Sequence, residues 1–242
     1  YCIFHIPDKN EKEAADFEEA FNHEIERQSN ENPDWYDFQG FHFPYGVSSE
    51  MLRAKMVNKR PTIAQALNFV ESCFHGGAWF ENTTFQAHAT FSYATFRGAI
   101  FKNASFRQDA VFNYAEFKLG WFENAEFRGM AEFSGAAFDE GAFEDAKFMA
   151  RARFVDTKFK GSAHFDKAKF QEAWFSVAKF RGDAWFEDAI FVGRMWFLGA
   201  VFQERCVFSG VTSRGLAWFD DAKFGKRTWF FDTKFFGYVS FN

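Results

Sequence analysis

Residues 85–106 read FQAHATFSYATFRGAIFKNASF, and this stretch decides the fold. Its phenylalanines recur every five or six residues, at Phe85, Phe91, Phe96, Phe101 and Phe106. This spacing matches neither the period of a helix nor that of a strand, so no single amphipathic element brings the rings together. The rings meet only if the chain turns once in every repeat.

The same rhythm runs from Phe74 to Phe241, with one gap at Ser213. A small residue, usually alanine, stands two places before most of the phenylalanines, as Ala89 stands before Phe91. A small and a large inward residue separated by one outward residue describe a very short strand. The positions between these units are rich in Gly, Asn, Asp, Arg and Lys, which favour turns. Short strands and turns in regular alternation predict a solenoid, in which each coil buries the apolar residues of the previous one.

Every fourth phenylalanine falls 21 or 22 residues further on, which gives each coil four sides. We number the sides in chain order, so that the first contains Phe85, the second Phe91, the third Phe96 and the fourth Phe101. The third side supplies a predicted core stack made of Phe96, Phe117, Phe138, Phe159 and Phe180.

The alternation of Ala-x-Phe-x-x units resembles the pentapeptide-repeat family over roughly residues 74 to 242. This resemblance implies an all-β solenoid, namely a right-handed quadrilateral β-helix of about eight coils. The step from the first to the second side is almost always six residues rather than five, with Phe170 to Phe175 as an exception. We therefore expect bulged corners at the six-residue steps. At Ser213 we expect a local distortion or loop, with Val211 or Leu216 partly filling the gap.

Residues 1–73 differ in character and are predicted to form an N-terminal capping region ahead of the repeats at 74–242. The pattern predicts a helix over about 9–29, a strand-like segment over 35–44 and a basic helix over about 47–60. Phe38 and Phe43 already stand five residues apart, which suggests a first partial coil. A polar cap is required here because an open solenoid end exposes its phenylalanines.

Composition favours a soluble cytoplasmic protein. The 40 phenylalanines are dispersed, and no apolar run approaches the roughly 20 residues of a spanning helix. The net charge of −5 is mild and predicts no direct nucleic-acid binding. Three cysteines form no disulfide framework, and Cys206 occupies a small inward position typical of a buried thiol. The chain opens at Tyr1 without a methionine, so we expect a further piece upstream.

Cys2 and His5 have the C-x-x-H spacing of half a zinc site. A structural zinc ion needs about four ligands, so either the other half precedes Tyr1 or the pair is incidental. We expect no other cofactor.

The residue before each phenylalanine faces outward, and these residues differ between the sides. Lysines are frequent on the first and third sides, whereas tryptophans occur on the second and fourth. The second-side tryptophans are Trp174, Trp196 and Trp218, and the fourth-side ones are Trp79, Trp121, Trp185 and Trp229. The fourth side also carries carboxylates directly after its phenylalanines, among them Glu123, Glu144 and Glu187.

Two interpretations of these rows stay open. Aligned tryptophans can simply stack along the sheet and stabilise it. They can also form a binding face, because tryptophan is enriched at interface hot spots. The candidate interaction surface comprises Trp174, Trp196, Trp218, Glu123, Glu144 and Glu187. Phe231, Phe236 and Tyr238 form a candidate end contact, through which copies could pair end to end or the chain could continue.

The sequence favours a non-enzymatic scaffold that presents charged and aromatic faces to an unknown protein partner. An alternative is implied by the resemblance alone: some pentapeptide-repeat proteins mimic DNA, bind DNA gyrase and protect it from quinolones. The lysine-rich sides argue against a uniformly acidic rod. A remote alternative is an enzyme in residues 1–73, for which we find no catalytic constellation. His164 is interpreted as a surface residue.

Overall fold

In a computed structural model, residues 14–242 are described, and they form one helix followed by short strands. The helix is α1 (Ala14–Glu31). The first strands are β1 (Trp35–Asp37), β2 (His42–Phe43), β3 (Val47–Ser48), β4 (Lys55–Val57), β5 (Arg60–Ile63), β6 (Ala66–Asn68), β7 (Cys73–Phe74), β8 (Ala78–Trp79), β9 (Thr84–Phe85), β10 (Ala89–Thr90), β11 (Thr95–Phe96), β12 (Ala99–Ile100), β13 (Ser105–Phe106), β14 (Ala110–Val111), β15 (Glu116–Trp121), β16 (Glu126–Phe127) and β17 (Ala131–Glu132). They continue as β18 (Ala137–Ala142), β19 (Lys147–Arg153), β20 (Lys158–Phe159), β21 (Ala163–His164), β22 (Lys169–Trp174), β23 (Lys179–Phe180), β24 (Ala184–Trp185), β25 (Ile190–Phe191), β26 (Met195–Trp196), β27 (Val201–Phe202), β28 (Arg205–Val207), β29 (Thr212–Ser213), β30 (Ala217–Trp218), β31 (Lys223–Phe224), β32 (Arg227–Trp229), β33 (Lys234–Phe235) and β34 (Val239–Ser240).

Strands of successive coils pair in parallel with each phenylalanine in register with the next. Phe96, for example, pairs with Phe74 on one side and with Phe117 on the other. The first and second sides of the coil belong to one sheet, and the third and fourth sides belong to another. The described chain is a β-solenoid of about eight turns, which confirms the all-β solenoid predicted from the repeats.

The inward phenylalanines form ladders of parallel rings. Phe117 and Phe138 have ring centroids 4.5 Å apart and planes inclined by 3°, and Phe138 lies 5.2 Å from Phe159. Within one coil the rings meet edge to face, as Phe138 does with Phe143 at 5.6 Å and 73°. Both geometries are favourable for aromatic pairs. The third-side stack that contains these residues, from Phe96 to Phe180, is buried throughout.

Tight turns bring the chain around after the second and fourth sides. After the fourth side, the residue two places beyond the phenylalanine has a positive φ, as in Asn82 (57°), Asn103 (55°) and Asn124 (56°). The amide of Ala104 donates a hydrogen bond of 2.9 Å to the carbonyl of Phe101. This is the pattern of a type II turn, whose third residue must tolerate a left-handed conformation, and asparagine does so better than most residues.

A bulge marks the point where a six-residue step lies beside a five-residue step. β19 and β22 both run from the first side to the second, and their pairing register shifts between Phe148 and Arg151. The chain takes six residues from Phe148 to Phe154 but five from Phe170 to Phe175, so one residue of β19 has no partner. The expectation of a bulged corner is confirmed at this position.

The expectation of a distortion at Ser213 is wrong. Ser213 is fully buried and lies in regular register between Phe191 and Phe235. Val211, two positions earlier, is also fully buried, whereas Leu216 is exposed. The usual small-then-large inward pair is therefore inverted here, so that valine takes part of the volume that phenylalanine fills elsewhere. The backbone stays regular because its ladder hydrogen bonds do not depend on the side chain.

The coils begin earlier than predicted. β1 and β2 separate the strand-like segment 35–44 into two sides of a first coil, with Phe38 and Phe43 fully buried. The predicted helix over about 47–60 is wrong: this segment contains β3 and an antiparallel hairpin of β4 with β5. The predicted helix over about 9–29 corresponds to α1, of which residues before 14 lie outside the described chain. Residues 62–73 contain the end of β5, all of β6 and the start of β7.

α1 covers the N-terminal end of the phenylalanine ladders. Phe17 and Phe21 are buried, and the ring of Phe21 lies 5.3 Å from Phe38 and 5.8 Å from Phe43. The amide of Gln28 donates to the carbonyl of Asp37 and accepts from its N–H, at 2.7 and 2.6 Å. These two bonds satisfy backbone groups of β1, which lies at the edge of the described sheet. No helix within residues 14–242 is long and apolar enough to cross a membrane.

Replacing Phe138 with alanine should lower the free energy of unfolding by about 3–5 kcal/mol, because the ring leaves a cavity that its neighbours cannot fill. Denaturant titration followed by circular dichroism would measure the loss. Phe231, which is 80% exposed, gives a matched control: Phe231→Ala should change stability by no more than about 0.5 kcal/mol. Similar losses in the two variants would contradict the ladder as the source of stability.

The inverted pair at Val211 and Ser213 predicts a coupled response. Ser213→Phe alone should destabilise by about 1–3 kcal/mol, because the new ring meets the valine methyl groups. Adding Val211→Ala should recover most of this loss, because it restores the small-then-large order. The comparison of both single variants with the double variant gives the coupling energy. Strictly additive effects would show that the two side chains do not share one volume.

Candidate functional site

Three surface features can recognise another molecule: a tryptophan row on the second side, a carboxylate row on the fourth side, and an apolar groove at the border of the third and fourth sides. Each results from the same local rule. The residue before or after an inward phenylalanine points outward, and register pairing places equivalent residues of successive coils in a line.

The second-side row brings Trp174, Trp196 and Trp218 together, as their spacing indicates. Trp174 pairs with Trp196 and Trp196 with Trp218, with ring centroids 5.6 and 4.3 Å apart. The guanidinium groups of Arg151 and Arg153 lie 5.0 and 4.9 Å from the ring of Trp174. These cation–π contacts and the ring stacking leave the three indoles only half-exposed.

The row carries an energetic cost as well as a benefit. The indole N–H groups of Trp174 and Trp196 are buried and donate no hydrogen bond within residues 14–242. A buried donor without an acceptor costs about 1–3 kcal/mol. The arginines are in turn held by carboxylates: Arg153 lies 3.6 Å from Glu132, and Arg151 lies 3.3 Å from Glu172. The row is therefore largely occupied by contacts within the protein.

The fourth-side carboxylates are less available than their sequence positions suggest. Glu123 is half-buried and lies 3.4 Å from the ammonium group of Lys102. Glu144 is half-buried, and burial raises the pKa of its carboxyl group above the usual range. Glu187 is exposed, and its backbone N–H donates to Asp166 at 3.0 Å. Of the three predicted carboxylates, only Glu187 is exposed.

His164 lies between two carboxylates of this row. Its Nδ1 is 3.8 Å from Glu144 and 3.5 Å from Asp166, and its ring lies parallel to Trp185 at 6.2 Å. The hydrogen bond to Asp166 is the main reason why the pKa of His164 is raised. His164 is thus at the surface, as the sequence indicates, but it is half-buried and has charged partners.

The apolar groove is lined by Trp79, Ile100 and Trp121, which occupy one outward row of the fourth side. Ile100 pairs with Trp79 and with Trp121 in register. Trp79 is 50% exposed and Trp121 is 38% exposed, so both indoles are more accessible than those of the second side. The groove has a volume of about 280 Å³ and also includes Arg97, Leu119 and a glycine-rich wall at Gly76, Gly77 and Gly98.

This groove was not among the predicted site residues, although Trp79 and Trp121 were recognised as outward. The sequence signal for the groove was Ile100, an apolar outward residue between two tryptophans. The structure adds that Gly98 has no heavy atom within 4 Å of where a Cβ would lie, so the space beside it is open. Glycines at that position leave the indoles accessible instead of covering them.

The structure also groups His42, Cys73 and His75 on the third side, which the sequence did not suggest. The predicted half site at Cys2 and His5 lies outside the described residues. Cys206 is fully buried, and burial raises the pKa of its thiol well above the usual range. The predicted end-contact residues Phe231, Phe236 and Tyr238 are all exposed, by 80%, 71% and 62%.

The four-sided coil and its outward rows define a quadrilateral β-solenoid of the repeat-protein class. The sequence profile of the family described as pentapeptide repeats (9 copies) matches residues 91–133, 112–158 and 154–197. This match shows that residues 91–197 are pentapeptide repeats, which confirms the resemblance for this part of the chain, and the phenylalanine ladders continue on both sides of it. Comparison with curated proteins and with solved structures found no match.

The raised pKa of His164 predicts a small pH dependence of stability. The protonated ring stabilises the fold below about pH 6.5, and this contribution is lost as the pH rises through the raised pKa of the folded state. Because the side chains are partly exposed, solvent screening limits the effect to about 0.5 kcal/mol. Between about pH 6.5 and a pH above the raised pKa of His164, the melting temperature should therefore fall less with rising pH in His164→Gln than in the parent protein. Identical pH profiles for His164→Gln and the parent protein would exclude the contribution.

Proposed function

We propose that the protein is a non-enzymatic scaffold that binds a protein partner through the groove of Trp79, Ile100 and Trp121. The observation that carries this proposal is the exposure of two aligned indoles beside an open groove on a rigid surface. Tryptophans in such settings act as binding hot spots, because a partner that covers them removes a large apolar area from water. The second-side tryptophans offer less new burial, because they already cover one another.

The charges around the groove indicate the chemistry of the partner. Arg97 borders the groove, Lys118 follows Phe117 one coil further along the same side, and both are exposed. Neither forms an ion pair with a carboxylate within residues 14–242. A protein segment with an apolar or aromatic side chain flanked by carboxylates would place the apolar group between the indoles and the acids near the cations. This arrangement resembles a hot spot with a polar rim.

The scaffold gains from rigidity. Each coil is held by backbone hydrogen bonds and ring stacking to both neighbours, so the outward rows do not reorganise when a partner binds. Binding to a preorganised surface avoids the entropy cost of ordering a loop. The pentapeptide-repeat solenoid therefore suits a protein that presents a fixed surface. The interior of the described chain is filled mainly by phenylalanine and alanine side chains.

The partner should depend on the groove and not on the second-side row. Partner proteins are to be captured from an extract with the parent chain, with Trp79→Ala/Trp121→Ala, and with Trp174→Ala as a control of the same residue type. A true partner is retained by the parent and by the control but is lost from the double variant, with purified affinities weakened at least about tenfold. A partner that binds the double variant as tightly as the parent would refute the proposed face.

The DNA-mimic alternative makes a different prediction. It requires an acidic rod, whereas Glu123 is paired with Lys102 and Glu144 is half-buried beside His164. We therefore expect no inhibition in a gyrase supercoiling assay at micromolar protein. Inhibition that weakens when Glu123, Glu144 and Glu187 are reversed to lysine would replace the scaffold proposal with DNA mimicry.

A further inference from the structure

A cluster of metal-ligating side chains lies on the third side, near the N-terminal end of the solenoid. His42 and Cys73 precede inward phenylalanines on β2 and β7, which are adjacent strands, and the two residues are register partners. His75 follows Phe74, so Cys73 and His75 lie two residues apart on either side of an inward ring. Alternate residues of a strand point the same way. The thiol and both imidazoles therefore share the outer surface of two coils.

The distances suit a small cation. One ligand atom from each residue lies within 4.8 Å of the other two. Nδ1 of His42 is 3.2 Å from Nε2 of His75, close to the separation of about 3.3 Å between two nitrogens bound tetrahedrally to zinc at about 2.0–2.1 Å. All three side chains are half-buried, so they are shielded from bulk water and yet reachable from it.

The residue types select among metals. Two imidazoles and a thiol are ligands that favour zinc and its borderline neighbours over magnesium or calcium, which prefer oxygen. The cluster of Glu144, His164 and Asp166 contrasts with this set, because two of its three ligand atoms are carboxylate oxygens.

We propose that His42, Cys73 and His75 bind one zinc ion. The imidazole planes are inclined by 19° and their centroids lie 5.5 Å apart. Metal binding would therefore require a ring rotation, after which a nitrogen lone pair of each ring points at the ion. The site joins β2 of the first coil to β7 of the second. Metal binding would fasten the coil that lies directly under α1 to the rest of the solenoid, since an ion that binds only the folded state stabilises it.

The test uses the full chain carrying Cys2→Ser and His5→Gln, so that the predicted half site cannot contribute. This parent is stripped of metal and titrated with Co²⁺, whose thiolate bond gives a charge-transfer band in the near ultraviolet. We expect saturation at one equivalent, visible bands of a four-coordinate ion, and loss of the spectrum when Zn²⁺ displaces the cobalt. Cys73→Ser should abolish the thiolate band, and His42→Gln and His75→Gln should each weaken binding at least tenfold.

Two comparisons keep the result specific. His164→Gln alters the other cluster and should leave the cobalt spectrum and its stoichiometry unchanged. Zn²⁺ should raise the melting temperature of the parent and of His164→Gln but not that of Cys73→Ser, whose metal-free melting temperature reports whether the variant is folded. A parent without a thiolate band, or a band that persists in folded Cys73→Ser, would overturn the assignment.

Discussion

The stacking of phenylalanine rings from coil to coil is the interaction on which the rest of the structure depends. Parallel strands lie about 4.7–4.9 Å apart, and the ring centroids of Phe122 and Phe143 lie 5.0 Å apart. The backbone ladder and the ring ladder therefore share one repeat distance, and each enforces the register of the other. A slip by one residue would turn every ring of a strand outward, so the register of the outward rows is fixed as firmly as that of the core.

This coupling explains which sequence inferences succeeded. The inward positions carry a strong signal because their spacing is set by the coil, so the four sides and the ladders could be read from the phenylalanines alone. The bulge between Phe148 and Arg151 could also be predicted, because an extra residue between two inward rings of fixed position cannot pair with the neighbouring strand. At Ser213 the missing phenylalanine suggested a distorted backbone, but the register is regular. Register there is maintained by the flanking coils, and a buried serine with Val211 beside it fits into a ladder that is already ordered.

Residues 47–60 show where the sequence alone was insufficient. The predicted helix would place Leu52 and Met56 on one face, but Leu52 is fully buried, whereas Met56 is 68% exposed. The decisive feature is the turn at Asn58 and Lys59, both of which have positive φ, of 51° and 65°. A hairpin turn of this kind is usually signalled by glycine, and lysine gives no such signal. β5 also pairs with β9, which places Ile63 in register with Phe85. Local sequence patterns do not predict such a long-range contact.

The candidate site was harder to predict than the fold, because outward residues are not constrained by the coil. Any residue is structurally acceptable at those positions, and therefore departures from the usual lysines and acids carry the functional information. Trp174, Trp196 and Trp218 looked like the best binding row because they are consecutive, but consecutive indoles cover one another. At the groove, Ile100 separates Trp79 from Trp121, and this interruption keeps both rings accessible. Alignment along a solenoid thus predicts which side chains meet, while the residue between them determines whether they remain free to meet a partner.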